Sequence, residues 1–278
     1  RDRAEPATDG RIAVVPLDDV AAPRRLGGLT CDRVYFQGER GLCLALAESF
    51  PQGYRAELLG SDLTPTGSVA VGGIPSRARV SADGRLGGVT TFVSGHSYTE
   101  IGGFSTQAMI IDMVTGRPIV TSLEDWPVTR DGARLESIDE NFWGITFAPD
   151  GDTFYATLAT GGTTYLVRGS VKSRSMAVIH QNAECPSVSP DGRRIAYKKR
   201  TGPDGLWRLT VLDLATMTET PLAEDQPIDD QVEWLDDRTI IYGLGEAIWS
   251  VPADGGGRAE RLLPSANSPS VVREEAVR

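Results

Sequence analysis

The sequence predicts an all-β protein, a six-bladed β-propeller whose ring closes by pairing N-terminal strands with a C-terminal strand. Three observations carry this reading. First, Val80-Ser81-Ala82-Asp83-Gly84-Arg85, Phe147-Ala148-Pro149-Asp150-Gly151-Asp152, Val188-Ser189-Pro190-Asp191-Gly192-Arg193 and the weaker Glu233-Trp234-Leu235-Asp236-Asp237-Arg238 spell nearly the same phrase. Each ends one apolar run and starts another, and Asp-Gly between two such runs marks a hairpin, because glycine takes the positive φ of the turn. Second, the phrase recurs at roughly 40 to 65 residues, the length of a four-stranded propeller blade. Third, the 31 Gly and 17 Pro are spread along the chain, as many short strands and tight turns require.

Each blade is read from its innermost strand, a, to its outermost, d. Blade one takes 31–37, 41–47, 55–61 and 67–71; blade two takes 78–82, 86–93, 108–114 and 118–122. Blade three takes 144–148, 153–158, 163–169 and 175–180, and blade four 187–189, 194–198, 207–213 and 219–222. Blade five takes 231–235, 239–242, 247–251 and 259–263. The ends are incomplete: 268–272 reads as a lone strand a, and 10–17 and 22–26 read as two strands before blade one. Together they would build a sixth blade and remove the open sheet edges. One domain is therefore expected over 10–272, with tails at 1–9 and 273–278.

Composition excludes several classes. With 40% hydrophobic and 24% charged residues the chain is globular. A net charge of −10 argues against nucleic acid or an anionic membrane surface as partner, since both need a basic face. No apolar stretch approaches the ~18 residues of a membrane span. The chain opens on Arg1 rather than Met, and a removed N-terminal signal or anchor is expected. Cys31 and Cys43 flank a hairpin-like segment and are expected to form a disulfide, with two small buried thiols as the other reading. Cys185 has no His or Asp at catalytic spacing and reads as buried and inert.

Ser189-Pro190-Asp191-Gly192-Arg193-Arg194-Ile195-Ala196-Tyr197 resembles the repeat of the TolB-like six-bladed propellers, built from WD40-like (PD40) repeats; Ala148 to Gly151 and Ser81 to Gly84 match it in part. The resemblance implies a bacterial extracytoplasmic binding platform, often part of a cell-envelope assembly. TolB has an additional N-terminal α/β domain to which nothing here corresponds, so a role in the Tol system is not carried over. The hydrolase domain of propeller-bearing peptidases has no counterpart either.

Chemistry-bearing motifs are scarce. There is no Gly-x-Ser-x-Gly elbow, His-Glu-x-x-His, phosphate loop or Cys-x-x-Cys, and only His96 and His180 are available for a His-based site. In a propeller the b–c loops and d-to-a crossings open on one face, and the Asp-Gly turns on the other. Two long insertions, 95–106 and 123–143, belong to the first face and are expected side by side, offering His96, Tyr98, Glu100, Asp125 and Trp126 for binding. The same face should gather acids just before strand a of blades three, four and five: Asp139, Glu140 and Asn141, then Glu184, then Asp229 and Asp230. Asp139, Glu140, Glu184, Asp229 and Asp230 are the candidate ligands of a Ca²⁺-type ion, or a pocket for a basic partner segment. Equally, such acids cap backbone amides at turns.

Three functions follow. The first is a non-enzymatic scaffold, without cofactor, that engages a protein or peptide partner of the cell envelope on the long-loop face. The second is a metal-dependent hydrolase or lactonase with His96 as base. The third is a small polar ligand, such as a sugar, on a Trp126, Trp143 and Tyr98 platform. Four or more oxygens aimed at one point would favour the second; acids bonded to amides favour the first.

Overall fold

The computed structural model describes residues 1–47, 53–93, 105–137, 139–202 and 205–273. Before the first blade lie β1 (Arg11–Val14) and β2 (Arg25–Thr30), which pair antiparallel as a sheet of their own. Blade one is β3 (Arg33–Gln37), β4 (Arg40–Leu46), β5 (Tyr54–Leu59) and β6 (Pro65–Val71). Blade two is β7 (Ile74–Val80), β8 (Leu86–Phe92), β9 (Thr106–Asp112) and β10 (Arg117–Val120). A hairpin, β11 (Val128–Arg130) and β12 (Ala133–Arg134), precedes blade three, which is β13 (Asn141–Phe147), β14 (Thr153–Thr160), β15 (Thr163–Ser170) and β16 (Ser175–Gln181). Blade four is β17 (Glu184–Val188), β18 (Arg194–Thr201), β19 (Leu206–Asp213) and β20 (Glu219–Pro221). Blade five is β21 (Glu233–Trp234), β22 (Thr239–Leu244), β23 (Ala247–Pro252) and β24 (Glu260–Pro264). Each blade is an antiparallel meander in sequence order.

The repeated phrase does the same job wherever it occurs. Ser189 Oγ donates to Asp191 Oδ1 at 2.6 Å, that oxygen accepts from the Arg193 amide at 3.0 Å, and the Arg194 amide donates to Ser189 Oγ at 3.0 Å. Ser81, Asp83, Arg85 and Leu86 repeat the arrangement at 2.6, 3.1 and 2.9 Å. Gly84 and Gly192 sit at φ +67° and +72°, where a Cβ is strained. Blade three lacks the serine, and Asp150 instead takes the Asp152 and Thr153 amides itself, at 2.9 and 2.7 Å. These side chains satisfy turn amides that the ladder leaves unpaired.

Apolar alternation along the strands fills the wedges between successive blades. Leu42, Leu44, Val80, Val89 and Ile111 join blades one and two, and Leu86, Ile110, Phe142, Ile145 and Phe154 join two and three. Tyr155, Leu166, Ile195 and Tyr197 join three and four, and Ala196, Leu209, Trp234, Ile240 and Tyr242 join four and five. Each fully buried aliphatic side chain contributes about 1.5–3 kcal/mol. Among the described residues no helix is long and apolar enough to cross a membrane.

One expectation needs correction. The blades number five, not six: between blades five and one stands only the β1–β2 pair, and 268–272 forms no strand. Ser268 takes a left-handed φ of +51° and Pro269 has no N–H, so the chain leaves the ladder there. Residues 1–9, expected as a tail, lie against the segment after blade five. Asp2 is buried and bridges Ala266, and the Arg3 amide donates to Ser265 O at 2.9 Å. The 123–143 crossing, expected beside 95–106 on the long-loop face, is described except at 138. It buries Leu123, Trp126 and Val128, and its β11–β12 hairpin widens the blade-three sheet outward through a parallel pairing of β11 with β16. Cys31 and Cys43 are bridged, their Cα atoms 5.4 Å apart, and Cys185 is a buried thiol.

Candidate functional site

The innermost strands β3, β7, β13, β17 and β21 wall a central channel, and their inward positions carry its polar side chains. Arg79 on β7 crosses the channel: its guanidinium donates to the Val232 carbonyl, reaches Gln231 O and Ser187 Oγ at 3.4 Å each, and stacks 4.5 Å from the Tyr35 ring centre. Glu233 lies 3.8 Å from Arg79 and 3.7 Å from Arg273, and accepts from the Tyr35 hydroxyl at 2.9 Å. Gln231 Nε2 donates to Pro186 O at 2.7 Å and Ile145 O at 3.1 Å. This layer ties all five blades together and closes the channel midway. Burial pushes the Glu233 carboxyl above its ordinary pKa, against the pull of Arg79 and Arg273; the Tyr35 phenol is pushed up by burial and by Glu233 beside it.

Two vestibules remain. On the Asp-Gly-turn face a cavity of about 120 Å³ is lined by Tyr35, Gln37, Glu233, Trp234 and Arg273. Its buried Gln37 Oε1 has no hydrogen-bond partner among the described residues. On the opposite face the channel mouth is a ring of ion pairs. Lys198 Nζ lies 2.6 Å from Asp229 and Arg77 3.4 Å from the same carboxylate, while Arg200 holds Glu184 at 2.7 Å. Lys198 and Arg200 also lie 4.1 and 4.7 Å from the Trp207 ring centre. Partial burial would raise the Asp229 carboxyl, but Lys198 and Arg77 outweigh it and hold the group below its ordinary value.

The acids expected at this mouth are therefore separated and individually engaged. Asp139 takes hydrogen bonds from Ser137, Thr160 at 2.6 Å and the Gly161 amide at 2.8 Å, which lower its pKa to about 2. Asn141 accepts from the Thr106 amide and hydroxyl at 2.8 Å each, joining blades three and two. Asp230 accepts the neighbouring Gln231 amide at 2.9 Å. Glu140 is half-buried, and desolvation raises its pKa. Among the described residues no three His, Cys, Asp or Glu side chains converge on one point. Asp125 is exposed, but Trp126 is buried 5.9 Å from Phe154 and Trp143 is 1% exposed, so neither ring offers a ligand platform. His96, Tyr98 and Glu100 lie outside the described residues.

Sequence reasoning placed Arg77 at the mouth but did not set the cations against the acids. Arg77, Arg79, Lys198 and Arg200 supply the charge that compensates the acids. The available signal was alternation: charged residues at inward positions of an innermost strand, and a lysine directly after Ile195-Ala196-Tyr197.

A second polar cluster lies between the outer strands of blades three and four. Glu219 accepts from Tyr197, from Lys199 and from His180 Nε2 at 2.8 Å. Desolvation alone would raise the carboxyl, but these three donors hold it at about 2. A depressed carboxylate stabilises the fold above its unfolded-state value of 4.5, and that stability is lost as pH falls from there towards 2. Glu219→Gln is expected to lose about 1–2 kcal/mol at pH 7, and the deficit should narrow in urea titrations run below pH 4. A deficit that does not depend on pH would contradict this assignment.

These features define a β-propeller with five four-stranded blades and a plugged channel. No protein-family model matches the chain, and no curated protein matches it. Solved structures do. TolB from Acinetobacter baumannii is similar at 15% identity and a TM-score of 0.56, over 97% of this chain and 64% of that one. A putative TolB from Agrobacterium tumefaciens is similar at 14% identity and a TM-score of 0.55, over 89% and 88%. The chain thus corresponds to less than two thirds of the Acinetobacter protein. U3-55K, at 10% identity and a TM-score of 0.51, shares the architecture as well, so the likeness establishes the fold alone.

Proposed function

We propose that this chain is a non-enzymatic scaffold propeller that engages a protein or peptide partner of the cell envelope on the channel-mouth face. One observation carries the reading: the mouth acids are spent on ion pairs and amide caps rather than converging on a reaction centre. A rim of alternating charge suits docking of a polar protein segment, because complementary charge steers encounter and fixes register. Asp229, Asp230 and Arg33, with the exposed Asp125 beside them, are the residues that would meet the partner, while the buried Arg77 and Lys198 hold Asp229 in place. The Cys31–Cys43 bridge and the likeness to TolB structures support an extracytoplasmic location, since such bridges persist in oxidising compartments.

Photo-crosslinking from the channel-mouth face tests this. A crosslinking side chain at position 125 or 230 is expected to trap a discrete partner, whereas positions 83 and 193, exposed on the Asp-Gly turns, should not. Trapping from the turn face only would overturn the reading. So would Ca²⁺-dependent hydrolysis of a lactone or ester by the purified chain, abolished by Asp229→Asn.

A further inference from the structure

The vestibule on the Asp-Gly-turn face ends against the Arg79 layer, and its walls hold polar groups whose hydrogen-bonding capacity is unspent. Gln37, at the end of β3, is 8% exposed, and its Oε1 has no partner among the described residues. Arg79 is 5% exposed, and its Nε is likewise unpartnered while an outer nitrogen donates to the Val232 carbonyl. Glu233, 3% exposed, accepts from Tyr35 at 2.9 Å, but Arg79 and Arg273 stand 3.8 and 3.7 Å away, too far to donate. All three side chains line the same cavity. Buried polar groups short of partners are costly, and three gathered round one space call for an occupant that supplies the missing bonds.

The mix of groups sets the chemistry of that occupant. The walls offer an acceptor at Gln37, a donor at Arg79 and open acceptor positions at Glu233. A cation brings donors only and would add to the charge of Arg79 and Arg273. An anion brings acceptors only and would lie against Glu233. A hydroxyl is donor and acceptor at once, so it suits all three groups, and it satisfies the Gln37 amide through either of its ends. Size sets the upper limit. A cavity of about 150 Å³ holds a six-carbon ring, so the vestibule, at about 120 Å³, has room for roughly six non-hydrogen atoms. Phe147, Pro149 and Pro190 supply carbon surface for the skeleton of such a molecule.

We propose that this vestibule binds a short neutral polyol of the three-carbon triol class, with hydroxyls meeting the Gln37 amide, the Glu233 carboxylate and Arg79 Nε. A few convergent polar groups in a small concave space are what fix the orientation of such a ligand. The Arg79 layer closes the channel between this site and the channel-mouth face. The two sites are therefore separate, and either can fail without the other.

The test is an NMR titration of the full ¹⁵N-labelled chain with glycerol, read at the Gln37 side-chain amide and the Trp234 indole N–H. Saturable shifts are expected with a Kd of about 1–20 mM, as suits a ligand of about six atoms. 1,2-Propanediol, one hydroxyl short, should bind about fivefold more weakly. Gln37→Met replaces an unpartnered amide with an apolar group of like size, so its melting midpoint should be unchanged or higher. Glycerol should nevertheless bind it about tenfold more weakly, read at Trp234. Glycerol also stabilises proteins through exclusion from their surface, but that effect does not distinguish this variant from wild type. Shifts that stay linear up to about 200 mM would mean a vestibule holding water only and would overturn the proposal. Equal affinity in Gln37→Met would overturn it too, as would saturable binding of acetate or methylammonium tighter than that of glycerol.

Discussion

Replacing Arg79 with methionine is expected to destabilise the protein by about 3–5 kcal/mol at pH 7, the largest single-residue loss in the channel. The side chain is 5% exposed and bridges blades two, four and five through the Val232 and Gln231 carbonyls, Ser187 and Glu233. Methionine keeps most of the volume, so the loss reports charge and hydrogen bonding rather than a void. Removing the guanidinium leaves Glu233 buried with Arg273, 3.7 Å away, as its remaining cation. A carboxyl already pushed up by desolvation then rises further. Below the unfolded-state value of 4.5 the group is protonated in both states and contributes no penalty; above it, the cost grows until the folded-state value is passed. The deficit should therefore be larger at pH 7 than at pH 5 in urea titrations with unchanged m. Adding Glu233→Gln should recover about 1–3 kcal/mol, because the two residues couple directly. A single substitution costing under about 1 kcal/mol would show that the layer is not a structural hub.

How much of this was legible beforehand follows from how local each cause is. The strands of blades two to five could be read within a few residues, because Asp83, Asp150, Asp191 and Asp236 each act on amides within three residues of themselves. The ends of the ring could not. Whether 268–272 joins a ladder depends on a left-handed Ser268 and on residues at the far end of the chain, which apolar pattern does not encode. The 123–143 insertion misled for a related reason. Its length suggested a loop offering Trp126 for binding, yet Trp126 and Val128 are apolar residues that found a core once β11 paired with β16.

The site was half legible. The acids lie just before or at the start of β13, β17 and β21, but several of their partners are not sequence neighbours. Arg77 meets Asp229 across 152 residues and Arg79 meets Val232 across 153. Such pairs are set by ring closure and strand register, so a list of acids reads as a metal site until the cations opposite are placed.

Loss of the Cys31–Cys43 bridge is the second large effect, expected at about 3 kcal/mol for a sequence separation of 12. The double Cys31→Ala, Cys43→Ala variant should unfold about 6–12 °C below wild type, at roughly 2–4 °C per kcal/mol. Adding reductant should lower wild type toward the same midpoint and leave the variant unchanged. A variant that melts with wild type would mean that the bridge only fastens what packing already holds. The position of the bond argues otherwise. It joins the segment between β2 and β3 to β4, in a small cluster with Ile12, Val34, Phe36, Leu59 and Leu63. Blades two, three and four each lie between two complete neighbours, whereas blades one and five each have the β1–β2 pair on one flank, and the bridge lies on that flank of blade one. A covalent tie that shortens the unfolded loop stabilises most where packing is thinnest. The junction of blade one with the β1–β2 pair is such a place, and reduction is therefore expected to release β1 and β2 before the five blades, visible as early hydrogen exchange at Arg11–Val14 and Arg25–Thr30.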